Sequence, residues 1–208
     1  MEIIKERTTA QIFPFIAYKS EKSEKPALII HLHGAGERGN GGKELERVLV
    51  HGFPNIVNDQ NLKNAVLVMP QCPEDTFWVA KIESLRAFID KMIKEFDVDE
   101  NRIYLCGLSM GGFGTWYTAM AFPDLFAAIA PCCGGGMPWR ANSLKMPIRA
   151  FHGLDDTVVL PNQSIDMADA LKGWHSDFKL TLYEGVAHES WDKAFSEELL
   201  FWLLSKSK

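Results

Sequence analysis

The sequence predicts an α/β fold: a mostly parallel central sheet with helices on both faces. Three observations predict it. Short apolar runs recur along the chain, and most are continuous rather than alternating, as strands covered on both faces require. Between them lie stretches with apolar residues at three- and four-residue intervals, the period of a helix with one buried face. No repeat, low-complexity tract, charge block or Pro/Gly/Ser linker divides the chain, so residues 1–208 read as a single domain.

The elements follow in order. Residues 11–18 read as a first strand, and Pro14 places it at a sheet edge, because proline offers no N–H to a ladder. Further strands are expected at 27–32, 65–69, 103–106, 126–130, 148–151 and 178–183. The clearest helix is 81–96, where Ile82, Leu85, Ile89, Met92, Ile93 and Phe96 share one face. Others are expected at 110–122, 162–173 and 190–204. Strands that alternate with helices pair in parallel. Ligands of such sheets bind beyond the carboxyl ends of the strands, so the loops there should carry the chemistry.

Composition narrows the function classes. The chain is 47% apolar and 24% charged, which excludes disorder. Its 22 Lys and Arg against 27 Asp and Glu give a net charge of −5, which argues against nucleic acid and anionic membranes as partners. Cys72, Cys106, Cys132 and Cys133 form no CxxC pair and no disulfide framework, and read as small apolar fillers. The first residues, Met1-Glu2-Ile3-Ile4-Lys5-Glu6-Arg7, lack the apolar core of a secretory signal, and no run approaches the ~18 apolar residues of a membrane span. The cytoplasm is the expected location, unless a leader has been removed.

The most informative stretch is 103–112. An apolar strand enters, Gly107-Leu108-Ser109-Met110-Gly111 follows, and a helical pattern leaves. Gly-x-Ser-x-Gly in that setting is a strand-to-helix elbow. The turn is tight enough to strain the serine, and the glycines on either side remove side chains that would collide. Ser109 Oγ is thereby lifted clear of the sheet at a helix N-terminus, where the dipole favours developing negative charge. Ser109 is the candidate nucleophile.

Further segments extend the pattern: His33-Gly34-Ala35-Gly36-Glu37-Arg38-Gly39, Pro70-Gln71-Cys72-Pro73, Phe122-Pro123-Asp124-Leu125-Phe126, His152-Gly153-Leu154-Asp155-Asp156 and His188-Glu189-Ser190-Trp191-Asp192. In this order they resemble the α/β-hydrolase superfamily. More narrowly, the chain is similar to the small serine esterases known as predicted peptidases, relatives of phospholipase/carboxylesterase and dienelactone-hydrolase-like proteins. Dienelactone hydrolases proper carry a cysteine nucleophile. Ser109 departs from that and points to ester chemistry. The resemblance implies no cofactor and no metal.

A serine hydroxyl needs a base within hydrogen-bond reach, and the base needs an acid to fix its tautomer. In this superfamily the order along the chain is Ser, then Asp or Glu, then His. Of the later histidines, His152 closes a strand and reads as a loop-structuring residue, and His175 reads as surface. His188 follows the last strand, at the position of the superfamily's base. For the acid, the resemblance points to Asp156. Asp155 reads as a loop carboxylate, and Asp192 as a local cap or ion-pair partner. An oxyanion hole would use the amide of Met110, after the nucleophile, and by resemblance that of Ala35, with Gly36 beside it against the substrate.

Gly34-Ala35-Gly36-Glu37-Arg38-Gly39 matches the dinucleotide motif Gly-x-Gly-x-x-Gly, but Asp59 does not end the second strand, and Asn40-Gly41-Gly42 breaks the helix that should begin there. His31 and His33, two apart on a strand, would share a face and could join Asp156 and His188 around a metal. Core and loop histidines are the simpler reading. A non-enzymatic binding module would leave Ser109, Asp156 and His188 in superfamily order by coincidence.

The interval from Ser109 to Asp156 must hold a helix and two strands, which leaves no room for a large lid. An open cleft for a small-molecule ester is expected, with small, phenolic or carbohydrate-linked acyl groups. Trp78 and Trp191 are expected to wall it, and Trp139 is a further candidate. Peptide or thioester cleavage on the same three residues is the alternative. Peptides are disfavoured because the leaving amine must be protonated. Oligomeric state is not written in these patterns.

Overall fold

Leu28, Ile30 and Leu32 face one side of their strand, Ala27 and Ile29 face the other, and all are fully buried. A strand without a polar face needs cover on both sides, and it has it. The computed structural model describes residues 1–6, 12–20 and 24–208. Among them eight strands form one sheet: β1 (Glu2–Glu6), β2 (Phe15–Lys19), β3 (Ala27–Leu32), β4 (Ala65–Pro70), β5 (Ile103–Leu108), β6 (Ala128–Cys132), β7 (Ile148–Gly153) and β8 (Phe178–Tyr183). The spatial order is β1-β2-β4-β3-β5-β6-β7-β8. From β4 to β8 all neighbours are parallel, and β1 and β2 are antiparallel additions.

One face is covered by α1 (Ile82–Glu95), α2 (Met110–Ala121) and α3 (Asn162–Leu171), through Leu85, Phe88, Trp116, Met120, Met167 and Leu171. The other is covered by α5 (Glu197–Leu204) and by 3₁₀ turns at Lys43–Leu49 and Phe53–Asn55. A short helix, α4 (Trp191–Ala194), precedes α5. No helix among the described residues is long and apolar enough to cross a membrane.

Several expectations change. β2 lies between β1 and β4, so it is not an edge strand. It starts at Phe15, after the proline, and Pro14 contributes only its carbonyl, which accepts from the Gln71 amide at 2.7 Å. Residue 11 of the expected strand lies outside the described residues. The edge on that side is β1, which was not anticipated: three of its five residues are exposed. The expected helix at 190–204 breaks, because Phe195 turns extended and Ser196 caps a new helix, its side chain accepting from the Leu199 amide. The connections after β3 and β6, where no helix is expected, carry 3₁₀ turns.

Candidate active site

The elbow is the tightest point of the fold. Ser109 has φ 53° and ψ −117°, a left-handed conformation that a residue with a side chain avoids. Close packing of main chain on main chain holds it there. A Cβ on Gly111 would lie 2.0 Å from the Leu32 carbonyl oxygen, and one on Gly107 2.5 Å from that of Gly111. Ser109 starts α2 without capping it, so the first-turn amides are not met by its hydroxyl.

That hydroxyl faces His188 instead. Ser109 Oγ lies 2.9 Å from His188 Nε2, and His188 Nδ1 lies 2.7 Å from Asp156 Oδ2. For a neutral imidazole beside an ionised carboxylate one arrangement satisfies both contacts: Nδ1–H donates to Asp156, and Nε2 accepts from Ser109. Asp156 is 2% exposed, and its other oxygen accepts from the Val158 and Val159 amides, each at 2.9 Å. Burial pushes its carboxyl up, but the hydrogen bonds from His188 and these amides outweigh burial and hold it below the usual range. The two other acids stand apart: Asp155 and Asp192 are exposed.

His152 is fully buried, and its ring lies 2.7 Å from Ser164 Oγ and 2.8 Å from the Val159 carbonyl oxygen. It fixes the loop that presents Asp156. Burial lowers its pKa and disfavours the charged form. His175 precedes β8, at the opposite end of the sheet from the site, and is half-buried against Trp174 and Phe178 rather than on the surface.

The loop after β3 abuts the nucleophile: a Cβ on Gly34 would lie 3.7 Å from Ser109 Cβ. Ala35 and Gly36 are exposed, and nothing stands within 4 Å of a Cβ on Gly36. Two buried side chains hold this loop: His33, as its reading as a loop histidine expects, and Gln71, whose role the sequence does not disclose. Gln71 donates to the Glu37 and Glu44 carbonyls at 3.0 and 2.9 Å and accepts from the Gly41 amide at 3.0 Å. His33 Nε2 accepts from the Cys72 amide at 2.9 Å, so Nδ1 carries the proton that donates to the Gly34 carbonyl at 2.6 Å. Burial drives the His33 pKa down to about 4 and that of His31 to about 3.

Trp78 does not wall the cleft. It is fully buried, packs edge-on against His33, and donates to the His33 carbonyl at 3.1 Å, so it supports the loop from beneath. Trp191 is 7% exposed and meets the His188 ring edge-on at 5.1 Å. It steadies the imidazole and offers little surface to a ligand. Trp139 is exposed, but its neighbour Arg140 donates to the Met120 carbonyl, roughly 15 Å along α2 from Ser109. Nor do His31 and His33 share a face. β3 ends at Leu32, so His31 packs on Phe53 and Phe195 on one side and His33 on Trp78 on the other. The dinucleotide reading loses its helix, since 3₁₀ turns follow the glycine motif.

All four cysteines are buried and free. Cys133 is more than a filler. It has φ 47°, donates through Sγ to the His188 carbonyl at 3.1 Å, and lies 2.8 Å from Ser190 Oγ. Its sulfur, an Asp156 carboxylate oxygen and a His188 ring nitrogen lie within 4.8 Å of one another.

Residues 16–196 match the pattern of the dienelactone hydrolase family. The chain belongs to that family. As a dienelactone hydrolase family member it carries serine at the elbow. A solved thermostable esterase is 30% identical with a TM-score of 0.83, covering 100% of this chain and 63% of that one. A bifunctional acetylxylan esterase/xylanase of Neocallimastix patriciarum is 37% identical over 91 residues, 43% of this chain and 12% of the relative's length. A probable carboxylesterase of Oryza sativa subsp. japonica is 26% identical over 78% of this chain and 71% of its own length. The chain thus spans only a small part of the first of these curated relatives.

Proposed function

We propose that this protein hydrolyses carboxylic esters through an acyl-enzyme on Ser109. The hydrogen-bonded chain from Ser109 Oγ through His188 to Asp156 carries the reading. Ser109 Oγ attacks the acyl carbonyl carbon as His188 Nε2 takes its proton. The carbonyl oxygen becomes an oxyanion and accepts from the amides of Met110 and Ala35. Asp156 stabilises the imidazolium and is not itself protonated. The tetrahedral adduct collapses, the ester's alcohol leaves with the proton from Nε2, and an acyl-serine remains. Water then gives a proton to Nε2 and attacks the acyl carbon. The acid departs, and Ser109 recovers its hydrogen.

Small, phenolic or carbohydrate-linked acyl groups are the proposed substrates. An exposed loop at Ala35 and Gly36 supports an open site, and similar proteins include the acetylxylan esterase above and a feruloyl esterase B of Neurospora crassa, 23% identical over 72% of this chain. The test is Ser109→Ala against acetyl-sugar, feruloyl and p-nitrophenyl esters, with a thioester and a peptide alongside. The parent cleaves the oxygen esters fastest, and the variant loses about 10⁴–10⁶ in kcat with an unchanged circular dichroism spectrum. A variant keeping a tenth of the activity overturns the mechanism. A faster thioester or peptide overturns the substrate class.

A further inference from the structure

We infer that Cys133, Asp156 and His188 form an inhibitory site for a thiophilic divalent cation such as Zn²⁺. A thiol, a carboxylate and an imidazole are a zinc donor set, and three such atoms already lie within 4.8 Å of one another. Ligand atoms around one tetrahedral zinc stand roughly 3.5 Å apart, so the His188–Asp156 contact, 2.7 Å in the structure, opens by under about an ångström and the Cys133 sulfur closes by about as much. The charges also match. A thiolate and an ionised Asp156 neutralise a 2+ ion in a place where an unbalanced charge is costly, since Asp156 is 2% exposed and Cys133 fully buried. His188 is the exposed member, with 14% of its side chain open, and the cation enters past it.

The inhibitory consequence follows from the imidazole, and it rests on the proposed hydrolase reading. In the structure Nδ1 faces Asp156 and Nε2 faces Ser109. A cation bound at Nδ1 takes the place of its proton. The ring stays neutral with its hydrogen on Nε2, where it points at Ser109 Oγ and cannot accept the serine's proton. The balance is one Zn²⁺ in and one thiol proton out to solvent, while the Nδ1 proton is exchanged for one on Nε2. No electrons move. Hard cations such as Mg²⁺ prefer oxygen ligands and leave the site alone.

The test uses the full chain and two independent readouts. Titration with Co²⁺, a spectroscopic substitute for zinc, should give a thiolate-to-cobalt charge-transfer absorption that saturates at one ion per chain and vanishes in Cys133→Ser. Zn²⁺ should abolish ester hydrolysis, a chelator should restore it, and an equal concentration of Mg²⁺ should do nothing. In Cys133→Ser, which keeps a hydrogen-bonding group beside the His188 carbonyl, half-inhibition should need about tenfold more Zn²⁺ or higher, measured against that variant's own metal-free rate. No charge-transfer band in the parent protein overturns the site, as does equal Zn²⁺ sensitivity in Cys133→Ser or inhibition by Mg²⁺. If Ser109→Ala stays active the hydrolase reading fails, while the cobalt spectrum still decides the metal site.

Discussion

Two glycine-rich turns meet at Ser109, and they need glycine for different reasons. In the elbow between β5 and α2, added Cβ atoms would strike backbone: Gly111 meets the Leu32 carbonyl oxygen at 2.0 Å and Gly112 that of Cys132 at 2.3 Å. In the loop after β3 the neighbours are side chains or nothing. A Cβ on Gly39 would meet Glu44 Cγ at 2.4 Å and Gln71 Nε2 at 2.6 Å, and one on Gly36 meets open space. The elbow is fixed by main chain packed on main chain, with no acid-titrating side chain in residues 107–112. The loop is propped by Gln71, His33 and Trp78, and it holds only while those props keep their hydrogen bonds.

The comparison breaks most severely at Gly111. Gly111→Ala has no side chain to push aside, so β3 and α2 must separate, and close-packed interiors resist that. We expect it to fail to fold or to lose more than about 4 kcal/mol in urea denaturation. A loss below about 1 kcal/mol would show that the elbow can yield and that the contrast is wrong.

Acid separates the two regions next. The unfolded chain takes up protons on His31 and His33 below about pH 6.5, while the folded chain resists until about 3 and 4. Their folded values are depressed, so this contribution is complete above about pH 6.5 and drains away as pH falls toward those folded values. A proton on His33 Nε2 would also face the Cys72 amide, donor against donor. Stability should fall by a few kcal/mol between about pH 6.5 and pH 4, and amide exchange should rise first in residues 33–49. Loss of protection first in the elbow would contradict this, since residues 107–112 carry no side chain that titrates in acid.

The same division explains what the sequence discloses. The elbow reads at once because its constraint is local: glycines two before and two after a serine, between a strand and a helix. β3, β5 and α1 read from periodicity, because both faces of those strands and one face of that helix are buried. β1 does not, because an exposed edge strand has no apolar pattern to show. Gln71, Trp78 and Cys133 stay hidden for another reason. Their partners are main-chain atoms of distant loops, such as the Glu37, His33 and His188 carbonyls, and a backbone carbonyl has no letter in a sequence. Placing Asp156 ahead of Asp155 takes a family resemblance, since the two are adjacent and chemically identical.

Gln71→Ala sharpens the comparison on the loop side. It removes the side chain that accepts from the Gly41 amide and donates to two carbonyls. The expected loss is about 1–3 kcal/mol. Hydrogen exchange should speed up in residues 33–49 and stay unchanged in α2. Exchange that rises equally in both would mean that the two turns are one mechanical unit.

Gly36→Ala has the smallest expected effect, and it bears most directly on the substrate. Its added methyl meets no protein atom within 4 Å, and the residue is exposed, so stability should change by less than about 0.5 kcal/mol. If a substrate passes this point, the methyl lies in its path. KM should then rise more for a feruloyl ester than for an acetyl ester, with kcat for the acetyl ester nearly unchanged. A destabilisation like that of Gly111→Ala would erase the difference between the turns. Unchanged KM for both esters would leave the loop open to solvent but away from the substrate, and the acyl group would have to lie on the other side of Ser109.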